Sequence, residues 1–362
     1  MAKSQPVVVF AAMVVSLGLG GCSGRPPQGV LVPVAETVAG AARVPVLVAT
    51  TRQRSPADKG EMFSGDRGEV VSYAAITVSI PPDAVRQIGQ IQWPSSIPGD
   101  SHRDLVTVSA EYIDKPTFMK SVTAEAKRVR PGKVLIFVHG FNNKFDDAVY
   151  RFAQIVHDSG APSVPVLFTW PSRGEIKLGS YTYDRESANY SRDALEELID
   201  TLDRNPNVNE VNLLAHSMGN WVALEALRSR YIRPDRFVDK LKNVMLVAPY
   251  VDVDVFRTEI RRMGTNRPRF ALFVSQDDRA LSLSKTIWGG VPRLGEVNPE
   301  QDPYRSELAR DQIEVFDLTS LRKAGDDAHD RAFSDVTSVV GMIKQRLREG
   351  QPMSDTKSIS MD

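Results

Sequence analysis

Of 362 residues, 42% are hydrophobic and 25% charged, the composition of an ordinary globular chain long enough for one large domain or two small ones. Lys and Arg number 45, as do Asp and Glu, and the pI lies near 7.0. So even a balance leaves no broad field of either sign, which argues against nucleic acid as a partner. Cys22 is the only cysteine, so no intramolecular disulfide can form.

The N-terminus reads as a targeting segment. Lys3 precedes an unbroken run of small and apolar residues, Val7 to Leu19. That run is shorter than the roughly 20 residues of a membrane-spanning helix and suits the apolar region of a secretory signal. It ends in Leu19-Gly20-Gly21-Cys22, which resembles the lipobox of bacterial lipoproteins. The resemblance implies removal of residues 1–21, acylation of Cys22, and anchoring to a membrane of the bacterial cell envelope by more than one acyl chain. Ser23 stands where an aspartate would favour inner-membrane retention, which points to the outer membrane in a two-membrane envelope. Residues 22–43, rich in Gly, Pro and Ala, read as a tether. Residues 44–348 read as the folded domain and 349–362 as a polar tail.

The first part of the folded region favours strands: Val44–Thr50, Val70–Tyr73, Ile76–Ile80 and Leu105–Val108, interrupted by Pro81, Pro82, Pro94 and Pro98. From Lys133 onward strands and helices alternate. Strands are predicted at Val134–Val138, Val164–Thr169, Val211–Ala215, Val244–Ala248, Phe270–Val274 and Ile313–Leu318, with helices such as Phe145–His157, Ser187–Leu202 and Trp221–Tyr231 between them. Val134-Leu135-Ile136-Phe137-Val138 has no polar position, as suits a strand covered on both faces. The pattern predicts an α/β fold: a doubly wound, mostly parallel sheet with helices on both faces. Chemistry in such a fold belongs on the loops that follow the carboxyl ends of the strands.

Several of those loops carry reactive or polarising residues. Ala215-His216-Ser217-Met218-Gly219 ends one strand and opens one helix. It has the spacing of a nucleophile elbow, in which small residues on either side of the serine let strand and helix approach closely; alanine takes the first small position. A serine that only caps the helix is the plain alternative. After strand 134–138 comes His139-Gly140-Phe141-Asn142-Asn143. A loop of this kind supplies one backbone N–H to an oxyanion hole and the residue after the nucleophile supplies the other, which designates Phe141 and Met218. A flexible turn would also account for His139-Gly140. Strand 270–274 is followed by Asp277 and Asp278, either of which suits a base-orienting carboxylate or a turn former. Of five histidines, only His329 lies beyond them, in the polar loop 323–330, and the order Ser, acid, His assigns it as base. A solitary loop histidine at the surface is the alternative.

Phe137-Val138-His139-Gly140-Phe141-Asn142, Phe168-Thr169-Trp170-Pro171-Ser172, Tyr183-Asp184-Arg185, Ala215-His216-Ser217-Met218-Gly219 and Ser275-Gln276-Asp277-Asp278-Arg279-Ala280-Leu281 together carry a family likeness. From about Val44 to Arg348 the chain resembles the α/β-hydrolase superfamily, specifically the bacterial esterase- and lipase-like domain of unknown function 900. The resemblance implies a serine hydrolase with the triad Ser217, Asp278 and His329 acting on a small acyl ester through an acyl-enzyme. In related hydrolases the acid stands three residues before an apolar residue that re-enters the core, which favours Asp278 ahead of Leu281 and leaves Asp277 as a loop carboxylate. An acyltransferase, a peptidase or a non-catalytic envelope binding protein on the same scaffold are the alternatives. Trp170, Tyr183, Asp184 and Arg185 are expected to brace the site, Trp170 from the core. No histidine or cysteine pattern with metal-ligand spacing occurs, so neither a metal nor another cofactor is expected. The short segment after strand 244–248 leaves no room for a cap domain, so the site is expected to be open and edged by Trp288, Val291 and Leu294.

Overall fold

The computed structural model describes residues 28–35, 38–56, 60–233, 240–278, 281 and 292–320. Three long strands come first, β1 (Ala42–Arg54), β2 (Phe63–Ile80) and β3 (Val106–Ile113), paired antiparallel. Then β4 (Lys133–Val138), β5 (Val164–Thr169), β6 (Glu210–His216), β7 (Leu241–Val247), β8 (Arg269–Val274) and β9 (Glu314–Asp317) pair in parallel. Among the described residues all belong to one nine-stranded sheet in the order β3-β2-β1-β5-β4-β6-β7-β8-β9, with β1 joined to β5 in parallel. This is the expected α/β architecture: a mostly parallel mixed sheet with helices on both faces.

Among the described residues the α-helices are α1 (Lys115–Arg128), α2 (Phe145–Ser159), α3 (Leu178–Asp203), α4 (Gly219–Ile232), α5 (Val253–Met263) and α6 (Tyr304–Arg310). The apolar run in β4 explains how they are distributed. Val134, Ile136 and Val138 point to one face, where they join Phe118 of α1, Leu195 and Leu198 of α3, Val222 of α4 and Phe256 of α5. Leu135 and Phe137 point to the other, against Phe145, Val149 and Phe152 of α2. Each such side chain, fully withdrawn from water, contributes about 1.5–3 kcal/mol before chain entropy is counted. On the first face, buried Arg230 of α4 pairs with Asp200 and Asp203 at the end of α3 and so ties the two helices together.

The path of the chain locates the site. From β4 it moves to β5 on one side and then crosses to β6 on the other, so the order reverses between β4 and β6. In open α/β sheets the crevice at such a reversal, beyond the carboxyl ends of the strands, is where ligands bind.

Most predicted elements stand, within a few residues. Two differ in kind. Val70–Tyr73 and Ile76–Ile80 are one strand of 18 residues, with Gly65 and Gly68 inside it. The expected gap at residues 74–75 is continuous strand, and the strand begins earlier, at Phe63, where the two glycines mark close approaches: a Cβ on Gly68 would lie 2.8 Å from the Arg52 carbonyl oxygen, and one on Gly65 2.9 Å from the Arg173 Cα. Helix α3 starts at Leu178, well before the predicted Ser187. Gly179 and Ser180 are poor helix formers, and tertiary anchoring of the Asp184 turn overrides their propensity. Val30 and Leu31, within the stretch read as a tether, are buried in the second core. The Val30 carbonyl accepts hydrogen bonds from the hydroxyls of Thr107 and Tyr150. Among the described residues no helix is long and apolar enough to cross a membrane.

Candidate functional site

Strand β6 ends at His216, and the backbone then turns through Ser217 with φ +50° into α4. A left-handed conformation costs a residue with a Cβ about 1–2 kcal/mol, so the surroundings must hold it there. They do so through the backbone. The Ser217 N–H donates to the Val247 carbonyl (3.0 Å), and its own carbonyl accepts from the N–H groups of Asn220 (3.1 Å) and Tyr250 (3.2 Å). The side-chain amide of fully buried Asn220 adds donations to the carbonyls of Ser217 (2.8 Å) and Val247 (3.0 Å). Asn220 lies just outside the elbow pattern, and sequence reasoning missed it.

The two glycines of the paired loops are steric requirements. A Cβ on Gly219 would come within 2.7 Å of the Val138 carbonyl oxygen and closer still to that of His139, both immobile backbone. One on Gly140 would sit 2.8 Å from the Ser217 Cβ and 3.0 Å from the His216 Nδ1. The loop after β4 therefore lies directly against the serine. Its Phe141 is half-buried, with its ring 5.4 Å from that of Tyr181, while Met218 is buried at the start of α4, whose first-turn N–H groups lack helical acceptors.

That loop is held from behind by a polar cluster invisible as a pattern in the sequence. His139 is fully buried, its ring stacked on Trp170 at 5.0 Å. Its Nε2 accepts from the Trp170 N–H (3.2 Å) and faces an Arg52 Nη at 3.4 Å. Both are obligate donors, so the proton sits on Nδ1, which donates to the Gly140 carbonyl (2.9 Å). Burial, and then the Arg52 charge, hold this imidazole well below the usual histidine range, so it stays neutral. The Trp170 indole N–H completes the brace by donating to the His139 carbonyl at 2.8 Å.

Arg52, at the end of β1, is 1% exposed and donates to the carbonyls of Ser64 (3.1 Å), Ser172 (2.8 Å) and Asn143 (2.8 Å). Burial lowers its pKa to about 10, leaving it charged at neutral pH. The carboxylate that acts most strongly on it is Asp184 of α3, which accepts from the Ser172 hydroxyl (2.5 Å) and the Arg173 N–H (3.0 Å). Burial raises this carboxyl's pKa, and those hydrogen bonds work against the rise. Trp170 and Asp184 thus brace the loop as expected. Tyr183 turns instead toward two arginines, with the Arg173 guanidinium 3.7 Å and that of Arg67 4.7 Å from its ring centroid.

After β8, Asp278 is fully buried and its carboxylate accepts from the Leu281 N–H at 3.1 Å, while Asp277 is half-buried. Leu281, three residues beyond Asp278, is buried. His329 and Cys22 lie outside the described residues, as do Trp288 and Val291. Leu294 does not edge the site; it is buried in the first core, and its neighbour Arg293 takes that place. A cavity of about 220 Å³ lies beside Met218. Tyr181, Trp221 and Tyr250 supply aromatic walls, and Arg185, Asp252 and Arg293 its charges.

The family model described as alpha/beta hydrolase of unknown function (DUF900) matches residues 115–346, more than half of the chain and every loop described above except the end of β1. No curated protein matches the sequence.

Proposed function

The chain belongs to the alpha/beta hydrolases of unknown function DUF900, and on that premise we propose that it is a serine hydrolase cleaving carboxylic esters through Ser217, His329 and Asp278. The observation that carries this reading is Ser217 itself, held at φ +50° between a parallel strand and a helix, at the reversal of strand order, with the Gly140 loop packed against it.

Neutral His329 takes the Ser217 hydroxyl proton as Oγ bonds to the acyl carbon. The N–H groups of Phe141 and Met218 receive the oxyanion. Collapse breaks the ester C–O bond, and the imidazolium returns its proton to the departing alkoxide oxygen. Water then repeats the sequence on the acyl-enzyme, releasing the acid and restoring Ser217. Asp278 holds the tautomer of His329 and balances its transient charge. His139 is not the base in this scheme, because both of its ring nitrogens are committed to the loop behind the site.

The signal ending at Cys22 supports a protein tethered to the bacterial envelope by lipid on that residue, in the outer membrane of a two-membrane cell. Purified full-length protein is expected to hydrolyse 4-nitrophenyl esters of short acids, and Ser217→Ala to abolish the activity while keeping the parental melting temperature. Parental turnover by Ser217→Ala would remove the proposal.

A further inference from the structure

We propose that the cavity beside Met218 is a subsite for one aromatic ring of the ester substrate. This deepens the serine-hydrolase reading and rests on it. The cavity borders the residue that follows Ser217, so a group that fills it is joined closely to the ester being cleaved. At about 220 Å³ it has room for a single ring and its linking atoms, since an apolar cavity of about 150 Å³ already holds benzene.

Its walls are flat. Among the described residues eight line it, and five of these carry planar groups: the rings of Tyr181, Trp221 and Tyr250 and the guanidiniums of Arg185 and Arg293. The rings form a series that starts at the oxyanion loop. Tyr181 meets Phe141 at 5.4 Å and 63° and Tyr250 at 5.9 Å and 74°, both edge to face. The Arg293 guanidinium stands 4.8 Å from the Tyr250 ring centroid, and that of Arg185 5.9 Å from the Trp221 centroid. A substrate ring extends this packing. Aromatic pairs gain from edge-to-face and offset contact beyond the area they bury, and a guanidinium stacks through its face while the N–H groups at its edge bond elsewhere. The ring is uncharged, so its fit does not depend on which carboxylates balance Arg185 and Arg293.

The walls are also fixed. The Trp221 indole N–H donates to the Asn189 side-chain oxygen at 2.9 Å. The carboxylate that shares the cavity, Asp252, accepts from the N–H groups of Asp254 (2.8 Å) and Val255 (3.2 Å) as the cap of α5. Beside Arg293, Leu294 N–H donates to the Val251 carbonyl (2.9 Å) and Gly295 N–H to that of Pro249 (3.1 Å), which ties this segment to the loop after β7 that carries Tyr250. Walls set before the ligand arrives select by shape. A phenyl group is flat, whereas a cyclohexyl group with the same number of carbons is thicker.

The experiment uses two pairs of esters on full-length protein. Methyl phenylacetate against methyl cyclohexylacetate puts the ring on the acyl side, and benzyl acetate against cyclohexylmethyl acetate puts it on the alcohol side. Each kcat/KM is divided by the ester's rate of alkaline hydrolysis. A cavity that only excludes water favours the saturated ring, which has the larger apolar surface. The subsite instead predicts a preference of about two- to tenfold for the aromatic member of at least one pair, and the pair that shows it identifies the side. Trp221→Leu and Tyr250→Leu should each lower that ratio toward one; a ratio taken on one variant does not depend on how much of it is folded. Cleavage with no aromatic preference in either pair, or a preference that neither variant lowers, overturns the subsite and leaves the hydrolase reading standing. If none of the four esters is cleaved, their competition for Ser217→Ala protein, followed by ligand-observed NMR, decides the subsite. An aromatic preference lost in the Tyr250→Leu background upholds it, and no preference or no binding overturns it. The hydrolase reading itself fails if 4-nitrophenyl acetate is spared as well.

Discussion

The loops after β4 and β6 meet at one point but are held by different forces. The β6 loop is fixed by main-chain geometry: Ser217 at positive φ, backbone donors from Asn220 and Tyr250, and Gly219 where no Cβ fits. The β4 loop is fixed by side chains brought from β1, from the loop after β5 and from α3, namely Arg52, Trp170 and Asp184. A site held by its backbone leaves a short local pattern, because each residue type is demanded by its immediate neighbours. A site held by side chains draws on partners as far as 120 positions apart, as Arg52 and Ser172 are, and leaves no such pattern.

The comparison breaks most visibly in turnover. Asp278→Asn should lower kcat by up to roughly four orders of magnitude through the wrong His329 tautomer. Asp277→Asn, altering a half-buried loop carboxylate, should cost less than about tenfold. Both variants should melt like the parent. If Asp277→Asn is the inactive one, the acid moves by one residue; if neither is, the triad is misassigned.

Stability comes next. Gly219→Ala should cost about 3 kcal/mol or more in chemical denaturation, because the clash is with immobile carbonyls. A loss below about 1 kcal/mol would mean that the elbow can open, against the backbone-held account. Arg52→Met should cost about 2–3 kcal/mol by stranding the carbonyls of Ser64, Ser172 and Asn143, and should raise the reaction barrier as the β4 loop loosens. Stability lost with kcat unchanged would separate the brace from the oxyanion loop.

A dependence on pH tests the packing of α4 on α5, away from the serine. Glu259 of α5 is buried beside Glu225, and burial, then the Glu225 charge, raises its pKa to about 8. Because the folded state keeps this proton above the ordinary value of 4.5, stability is full below that pH and is lost as pH rises through about 8. Glu259→Gln should flatten this slope in melting experiments across the same window. An unchanged slope would place the proton elsewhere.

These contrasts show what was legible in the sequence. The sheet strands from β4 onward announced themselves through apolar runs, and the strand-to-helix serine through its small neighbours. The length of β2 was hidden because Gly65 and Gly68 look like turns until β1 and the Arg173 backbone are seen beside them. The start of α3 was hidden because Asp184 is anchored by residues of another loop. Arg52, Asn220 and Arg293 bear on the site only through burial and long-range partners, which periodicity and spacing do not carry. Asp184 and Trp170 were found from family likeness, and the structure supplies the physical reason for them.

The central claim is that Ser217 is an activated nucleophile, and covalent capture tests it most directly. Full-length protein is treated with a fluorophosphonate, and the modified residue is located by peptide mass spectrometry. The account predicts one adduct, on Ser217, absent when the protein is first unfolded. An intact Ser217 peptide from active, folded protein, or an adduct on another serine, would contradict it.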